Sequence, residues 1–462
     1  MTNSIIEIAQ LITKGFEENF EKMIIEKRDI SEFVLEIKKT LDTAGSILIA
    51  EALETMDSMV RSDARRKQNW HVKEKAAPNT YATMFGEIHY HRTYYKSKHK
   101  NEYSYLSDEL VGIRPYDKMD VSLKARLIEE AIETPYARSG KKATEQLEIS
   151  SQSVMNSIRE IGGTENHAIG IVKAKSTPKV LYIEADEDHV ALQTGGGAEP
   201  KLIYVHEGKK LIGKNRWELI KPRYFGGMYK ESEDLWTEVA DYIDQAYDYE
   251  KIDKIYLSGD GARWIKAGAS FINKSIFVLD RYHLNKAVKT AGGHIEKGEL
   301  EIWRAIKAKD KEYLKVVFET IKDMTESETK VASIIDMRTY ILNHFDSIKN
   351  QYASDYIGCS AEGHISHIYS DRLSSRPLGW SREGVDQMAR LRVFRANGGN
   401  VYDLTLKKKQ ERIREARITE LDLKVAKKSW KKVSGETMDN LPALNLGRRT
   451  QLAVMLRGIR GI

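Results

Sequence analysis

The sequence predicts an α/β fold class: a mixed sheet flanked by helices, preceded by a mainly helical region and interrupted by a helical insertion. Three observations carry this. The hydrophobic spacing changes from helical to alternating after Lys173-Ala-Lys-Ser-Thr-Pro178. Beyond it, residues 180 to 193 form a strand pattern broken by Gly195-Gly-Gly197. Lys201–His206 and residues 216 to 223 read as the next strands, spaced as in an antiparallel meander. Residues 233 to 247 then read as a helix, residues 252 to 258 as a strand, the stretch through Trp264 as a short helix, and residues 275 to 279 as a last strand. Three strands, a helix, then two strands with a helix between them is an RNase H-like order. From Tyr282 to about Asn350 the pattern is helical and charged, an all-helical insertion in that core.

Composition narrows the class. With 462 residues, 41% hydrophobic and 31% charged, the chain suits several folded domains rather than disorder. No apolar run approaches the roughly 18 residues of a membrane helix. The first twenty residues carry Glu7, Lys14, Glu17 and Glu18 and lack the form of a secretory signal. A single cysteine, Cys359, excludes an intrachain disulfide and points to a cytoplasmic, nucleoid-associated protein. A formal charge of +6 permits nucleic-acid binding without requiring it.

Before the sheet, Ile5, Ile8, Ile12, Phe16 and Phe20, then Phe33, Ile37 and Leu41, repeat at helical steps. Residues 83 to 95 suggest a β-hairpin around Gly86. Its mixture of Tyr90, Tyr94, His89, His91, Arg92, Lys96, Lys98 and Lys100 suits a DNA-facing ribbon or a plain solvated one. Residues 136 to 146 read as a helix, 147 to 150 as a turn, and 151 to 161 as a second helix capped by Ser150 or Ser151, with Val154, Ile158 and Ile161 inward. That spacing suits either a helix-turn-helix or an ordinary helical hairpin. In the first case Arg138, Lys141, Lys142, Gln152, Asn156 and Arg159 face DNA.

The carboxylates carry the chemistry. Phosphodiester cleavage and strand transfer use divalent ions, Mg²⁺ or Mn²⁺, which need about three acidic side chains together. Glu184, Asp186 and Asp188 alternate on the first strand and are expected on one face, where a cation would balance them. Asp260 sits in a Gly-Asp-Gly turn at the end of an apolar strand. Glu362 opens a helix behind Ser360, with Arg372 and Arg376 downstream to meet phosphate. Asp188 competes with Asp186, and Glu383 with Glu362. Cys359, His364 and His367 fit no common zinc spacing.

Four motifs together resemble a known family. Tyr182-Ile-Glu-Ala-Asp186 looks like a first-aspartate strand, and Leu257-Ser-Gly-Asp-Gly-Ala262 like a second-aspartate turn. Asp280-Arg-Tyr-His283 is similar to a short Cys/Asp-x-x-His motif. Cys359-Ser-Ala-Glu362, with the stretch through Trp380, looks like a glutamate helix. The chain thereby resembles bacterial DDE insertion-sequence transposases of the Lre-two family, formerly filed as an uncharacterised protein family and related to the Mutator-like superfamily. The resemblance implies a metal triad of Asp186, Asp260 and Glu362 and a helical insertion between the last two. It also implies terminal inverted repeats and target DNA as partners of a homo-oligomer. His283 is either near the metal or a structural partner of Asp280.

The expected organisation is a helical region (1–70), a β-hairpin region (71–119), a helix-turn-helix DNA-binding domain (120–172), the first part of an RNase H-like core (173–283), the insertion (284–350), the second part with the glutamate helix (351–400), and a basic helical tail (401–462). The expected function is metal-dependent DNA cleavage and strand transfer at the ends of an insertion sequence. The alternatives are an RNase H-like nuclease or resolvase without strand transfer, and a non-catalytic DNA-binding protein.

Overall fold

The structure is a computed structural model describing residues 2–214, 216–375 and 379–415. Its described residues divide into two compact units: 2–131, 136–157 and 401–415 form one, 132–135 and 158–400 the other. No helix among them is long and apolar enough to cross a membrane. Arg376 and most of the expected basic tail lie outside the described residues.

In the first unit the helices Thr2–Ile25 and Ile30–Ser62 meet at Asp29, whose carboxylate accepts from the Ser31 amide and caps the second helix. A three-stranded antiparallel sheet follows: β1 (Trp70–Thr83), β2 (Gly86–Ser97) and β3 (Tyr103–Ser104). The sequence reading found β2 but not β1. The cause is two register shifts, at Val72/Glu74 and Glu74/Ala77, which break the alternation of β1. The tight turn is Met84-Phe85, and Gly86 supplies its positive φ of 111°. Asp57 is buried under this sheet and accepts from the Thr93 amide, the Thr93 hydroxyl and the Ser107 hydroxyl.

The helical pair spans Tyr136–Lys142 and Ser151–Ile161, the first helix ending four residues before the expected 146. A Cβ on Gly140 would sit 1.9 Å from the Ile149 carbonyl, so only glycine lets the connection fold back so closely. Ser150 accepts from the Ser153 amide at 3.2 Å, and Val154, Ile158 and Ile161 are buried as expected.

The second unit is built on a mixed five-stranded sheet flanked by helices. Its strands are β4 (Val180–Glu187), β5 (Lys201–His206), β6 (Arg223–Gly227), β7 (Lys254–Gly259) and β8 (Ser275–Leu279), in the spatial order β6-β5-β4-β7-β8. The meander β4-β5-β6 is antiparallel, while β7 and β8 run parallel to β4. Two expectations need correction. The first strand stops at Glu187, because Val190–Ala191 leaves the sheet to pair with Gly197–Ala198 across a turn where Gly195 and Gly196 have positive φ. Residues 216 to 223 are mostly not in the sheet: Lys209–Gly213 and Arg216–Leu219 form a separate two-stranded ribbon.

Alternation along β4 gives the sheet its two faces. Leu181, Ile183 and Ala185 pack with Ile203, Val205, Ile255 and Leu257 against Leu235, Trp236, Val239 and Ile243 of the helix Ser232–Ala246. Tyr182 instead joins Tyr256 and Val278, with Tyr356 and Ile357 packed over them. After β8 the helices Arg281–Gly292, Gly298–Ala308, Lys311–Asp323 and Glu328–Asn343 enclose a core of their own, including Leu284, Ile302, Phe318 and Ile341.

Candidate active site

Because β4, β7 and β8 are parallel, their C-terminal ends share one edge of the sheet. Asp186 is the seventh residue of the eight in β4, Asp260 follows β7 directly, and Asp280 follows β8. The turn after β7 is closely fitted. A Cβ on Gly259 would meet the Ala185 carbonyl at 2.9 Å and the Ile265 side chain at 2.8 Å. Gly261 has φ 94°, and a Cβ there would lie 2.3 Å from Nε2 of His344. The Asp260 carboxylate accepts from the Ala262 amide at 2.8 Å, and its backbone carbonyl accepts from the Tyr340 hydroxyl at 2.6 Å. The Asp280 amide donates to the Gly259 carbonyl at 2.8 Å, so β8 supports the same turn.

The acids at this edge feel one another. Burial is the main force on the Asp186 carboxyl, and the negative charges of Asp260 and Glu362 add to it. The Glu187 amide, which donates at 2.9 Å, and the charge of His283 pull the other way. The balance raises the carboxyl from its ordinary 3.8 to about 7. Its neighbour Glu187 is also raised, first by burial and then by Asp260, although Trp264 donates to it. His283 Nδ1 donates to Asp280 at 3.0 Å. That bond, helped by the charges of Asp186, Asp280 and Asp260, outweighs burial and raises the imidazole. The structural pairing and the nearness to the other acids therefore coexist in His283.

Glu362 lies in the first turn of Ala361–Ile365 and is exposed. This helix runs into a π-helical turn, Ser366–Ser370, and on to Asp371–Leu373. Single π-turns of this kind often occur at functional sites. Ser360 precedes the helix but does not cap it with its side chain. Its amide and hydroxyl both donate to Glu184, which also receives the Tyr204 hydroxyl and, at 3.0 Å, His206 Nε2. Burial pushes the Glu184 carboxyl up, but the bond and charge of His206, with Tyr204 and the Ser360 amide, more than offset it, and it titrates below its ordinary range.

The expected row of three acids balanced by a cation is thus corrected. Glu184 is balanced by protein donors, and Asp188 lies beyond the end of β4. Asp188 accepts from its neighbour's amide and from Ser374 at 2.9 Å, with its Oδ2 buried and unpartnered. The charges acting on Asp186 are those of His283, Asp260 and, on the helix that starts beside Glu184, Glu362; Glu383 is not among them. Glu383 lies in the first turn of Arg382–Ala396, which Ser381 caps. Arg372 departs from expectation: it is buried with its guanidinium over Trp380, 4.7 Å from the ring centre, and does not face solvent. Arg138, Lys141, Lys142, Gln152, Asn156 and Arg159 are all exposed on the helical pair, Gln152 bonded to Asn156 at 2.9 Å.

Sequence reasoning missed Tyr340 and His344, which come from the last long helix of the insertion and its end. His344 is buried, its Nδ1 lies 2.8 Å from the Tyr340 carbonyl, and its Nε2 has no hydrogen-bond partner. No short motif marks such residues; only the Gly-Asp-Gly turn hints that something must fill the space above Gly261.

A divalent cation fits the donor set by charge: three carboxylates, one of them already raised to about 7 by burial and by the other two. Among the described residues, no three Asp, Glu, His or Cys side chains are grouped so that they could hold a metal ion. Asp186 and Asp260 are held by local amides, and Glu362 is exposed.

The model of the uncharacterised protein family UPF0236 matches residues 24–410. A UPF0236 protein of Caldanaerobacter subterraneus subsp. tengcongensis is 42% identical over 459 residues, covering 99% of this chain and 97% of that protein, and its name joins eleven locus designations. Another from the same organism is 43% identical over 451 residues, 97% of this chain and 96% of its own length. The "UPF0236 protein in vanSb 3'region" of Streptococcus gallolyticus is 25% identical over 395 residues, 82% of this chain and 85% of its own. With a family model spanning most of the sequence and relatives matching it nearly end to end, the chain belongs to the protein family UPF0236.

Proposed function

We propose that this protein is an insertion-sequence transposase, cutting DNA at the element's ends and joining it to a target through an RNase H-like core. The observation that carries the reading is the electrostatic meeting of Asp186, Asp260 and Glu362, acids from two adjacent strands and a helix 102 residues beyond Asp260. The strand order, with three antiparallel strands followed by two parallel ones, supports it. So does a relative whose name joins eleven locus designations, as expected of a gene that multiplies within a genome.

In this reading Asp186, Asp260 and Glu362 hold Mg²⁺ or Mn²⁺. When bound, the metal supplies Lewis-acid activation of the attacking hydroxyl and stabilisation of the departing oxygen. The protein's own groups prepare the site. The buried Asp186 carboxyl, raised to about 7, would give up its proton more readily beside a bound cation. Glu184 fixes the start of the Glu362 helix through Ser360. The bond to Asp280 and the charges of Asp186 and Asp260 favour the protonated form of His283, a donor suited to a phosphate oxygen at this edge. The exposed polar groups of the helical pair suit contact with the terminal repeats.

The test is a strand-transfer assay on linear DNA carrying the element's ends, with Mg²⁺ or Mn²⁺ and with chelator. Joined products are expected with metal and none with EDTA. Asp260→Asn should remove cutting while DNA binding persists. Cutting that continues in EDTA, or near-normal cutting by Asp260→Asn, would overturn the metal site. Cutting without joining would make the protein a nuclease.

A further inference from the structure

The ribbon between β5 and β6 has no role in the site described. Lys209–Gly213 and Arg216–Leu219 pair only with each other, and they join none of the five strands of the sheet. Leu211 and Trp217 face each other across the ribbon and are 58% and 57% exposed, with Ile212 at 47%. A two-stranded ribbon with an exposed aromatic–aliphatic pair is marginal alone in water and implies a partner.

Charge selects that partner. Residues 209–221 carry Lys209, Lys210, Lys214, Arg216 and Lys221 against one acid, Glu218. Lys210 pairs with Glu218 at 2.9 Å and Lys221 with Glu207 at 2.9 Å. Lys214 and Arg216 are exposed beside the tip and make no ion pair among the described residues. Two such ribbons would repel each other, which disfavours a second copy of the chain, whereas a polyanion suits the surface. The major groove of B-form DNA is about 12 Å wide and admits a two-stranded β-ribbon.

Position agrees. The ribbon leaves β5 at His206, which bonds Glu184, and a Cβ on Gly358 would lie 3.6 Å from Lys209 Nζ. Gly358 is four residues before Glu362, so the ribbon's root borders the segment that carries the third acid.

We propose that this ribbon is a duplex-DNA-binding arm, gripping phosphates with Lys214 and Arg216 and packing Leu211 and Trp217 into a groove beside the candidate active site. The proposal deepens, and rests on, the reading of the protein as a DNA-cutting enzyme.

The test uses the full chain and a fluorescein-labelled duplex of arbitrary sequence. Lys214→Ala/Arg216→Ala, checked by thermal melting to be folded, should weaken binding and reduce the slope of log affinity against log salt by about 2, two phosphate contacts at roughly 0.9 each. A benzophenone amino acid at Leu211 should cross-link to the DNA. An unchanged salt slope, or cross-linking only to a second copy of the chain, would overturn the arm. The two ideas separate cleanly. Cross-linking to DNA with no cutting of DNA carrying the element's ends in Mg²⁺ or Mn²⁺ keeps the arm and sinks the enzyme, while metal-dependent cutting of those ends with an unaltered salt slope sinks the arm alone.

Discussion

Glu184 and Asp186 lie two residues apart on one strand, on the same face and almost equally buried, yet their surroundings pull them in opposite directions. Glu184 is met by His206, Tyr204 and both polar groups of Ser360, and its carboxyl is held low. Asp186, buried, receives among the described residues only the amide of its neighbour Glu187 and faces the charges of Asp260 and Glu362, and its carboxyl rises to about 7. Burial of an acid is therefore not in itself a sign of a metal. What sets Asp186 apart is that burial and two neighbouring acids outweigh the single amide and the one imidazole that oppose them.

The largest expected effect separates the two residues by function. Asp186→Asn should lower DNA cutting by more than about 100-fold, since even groups that merely orient metal ligands cost up to that much. It should leave folding intact, because burial and the charges of Asp260 and Glu362 already disfavour the ionised carboxylate. Glu184→Gln should do the reverse. It leaves His206, Tyr204 and Ser360 around a neutral amide, and a denaturant melt should show a loss of about 3 kcal/mol, the scale for breaking a buried ion pair. If Asp186→Asn destabilises as strongly as Glu184→Gln, the contrast between them is wrong.

A second way to sharpen the contrast is pH. An acid whose folded-state pKa lies above its unfolded value binds its proton more tightly when folded. The stability this contributes is fully present below the unfolded value, near 3.8, and is lost as pH rises through about 7. Metal-free protein should accordingly lose stability between those limits, by a step that Asp186→Asn abolishes. Mg²⁺ or Mn²⁺ should raise the melting temperature more at pH 8 than at pH 6, because at the lower pH the cation must displace a proton. Equal metal stabilisation at both values would show that Asp186 is not among the ligands.

How far the sequence reached follows the same division. Period-two alternation, glycine turns and strand-end aspartates are local signals, so most of the succession of strands and helices is legible, as are the places of Asp186 and Asp260 at strand ends and of Glu362 at a helix start. The balance of Glu184 was not, because Tyr204 and Ser360 are close only once the strands pair and the late helix returns. Arg372 was misread for a similar reason: its charge suggested phosphate, but Trp380, eight residues on, folds back under it. The β1 strand was hidden by its register shifts. Residues 216 to 223 read as a sheet strand because alternation alone does not say which partner a strand finds.

The smallest expected effect concerns what holds Asp260 in place. Its turn is closed from above by the insertion, through the Tyr340 hydroxyl on the Asp260 carbonyl and His344 against Gly261. Tyr340→Phe removes one hydrogen bond and keeps the ring, so the stability cost should be about 1 kcal/mol. If the bond positions the aspartate, kcat should fall about fivefold with KM for DNA unchanged, and the Mn²⁺ concentration needed for half-maximal cutting should rise. A bond that serves the fold alone would shift the melting temperature and leave the metal requirement where it was. The comparison with Glu184 decides which outcome is expected. Glu184 has four donors to fix it, so no single one is decisive, whereas the Asp260 carboxylate has the amide of Ala262 in a turn packed against the insertion through Tyr340 and His344. A turn of that kind depends on its support from the insertion, and the metal requirement is where a loss of that support registers first.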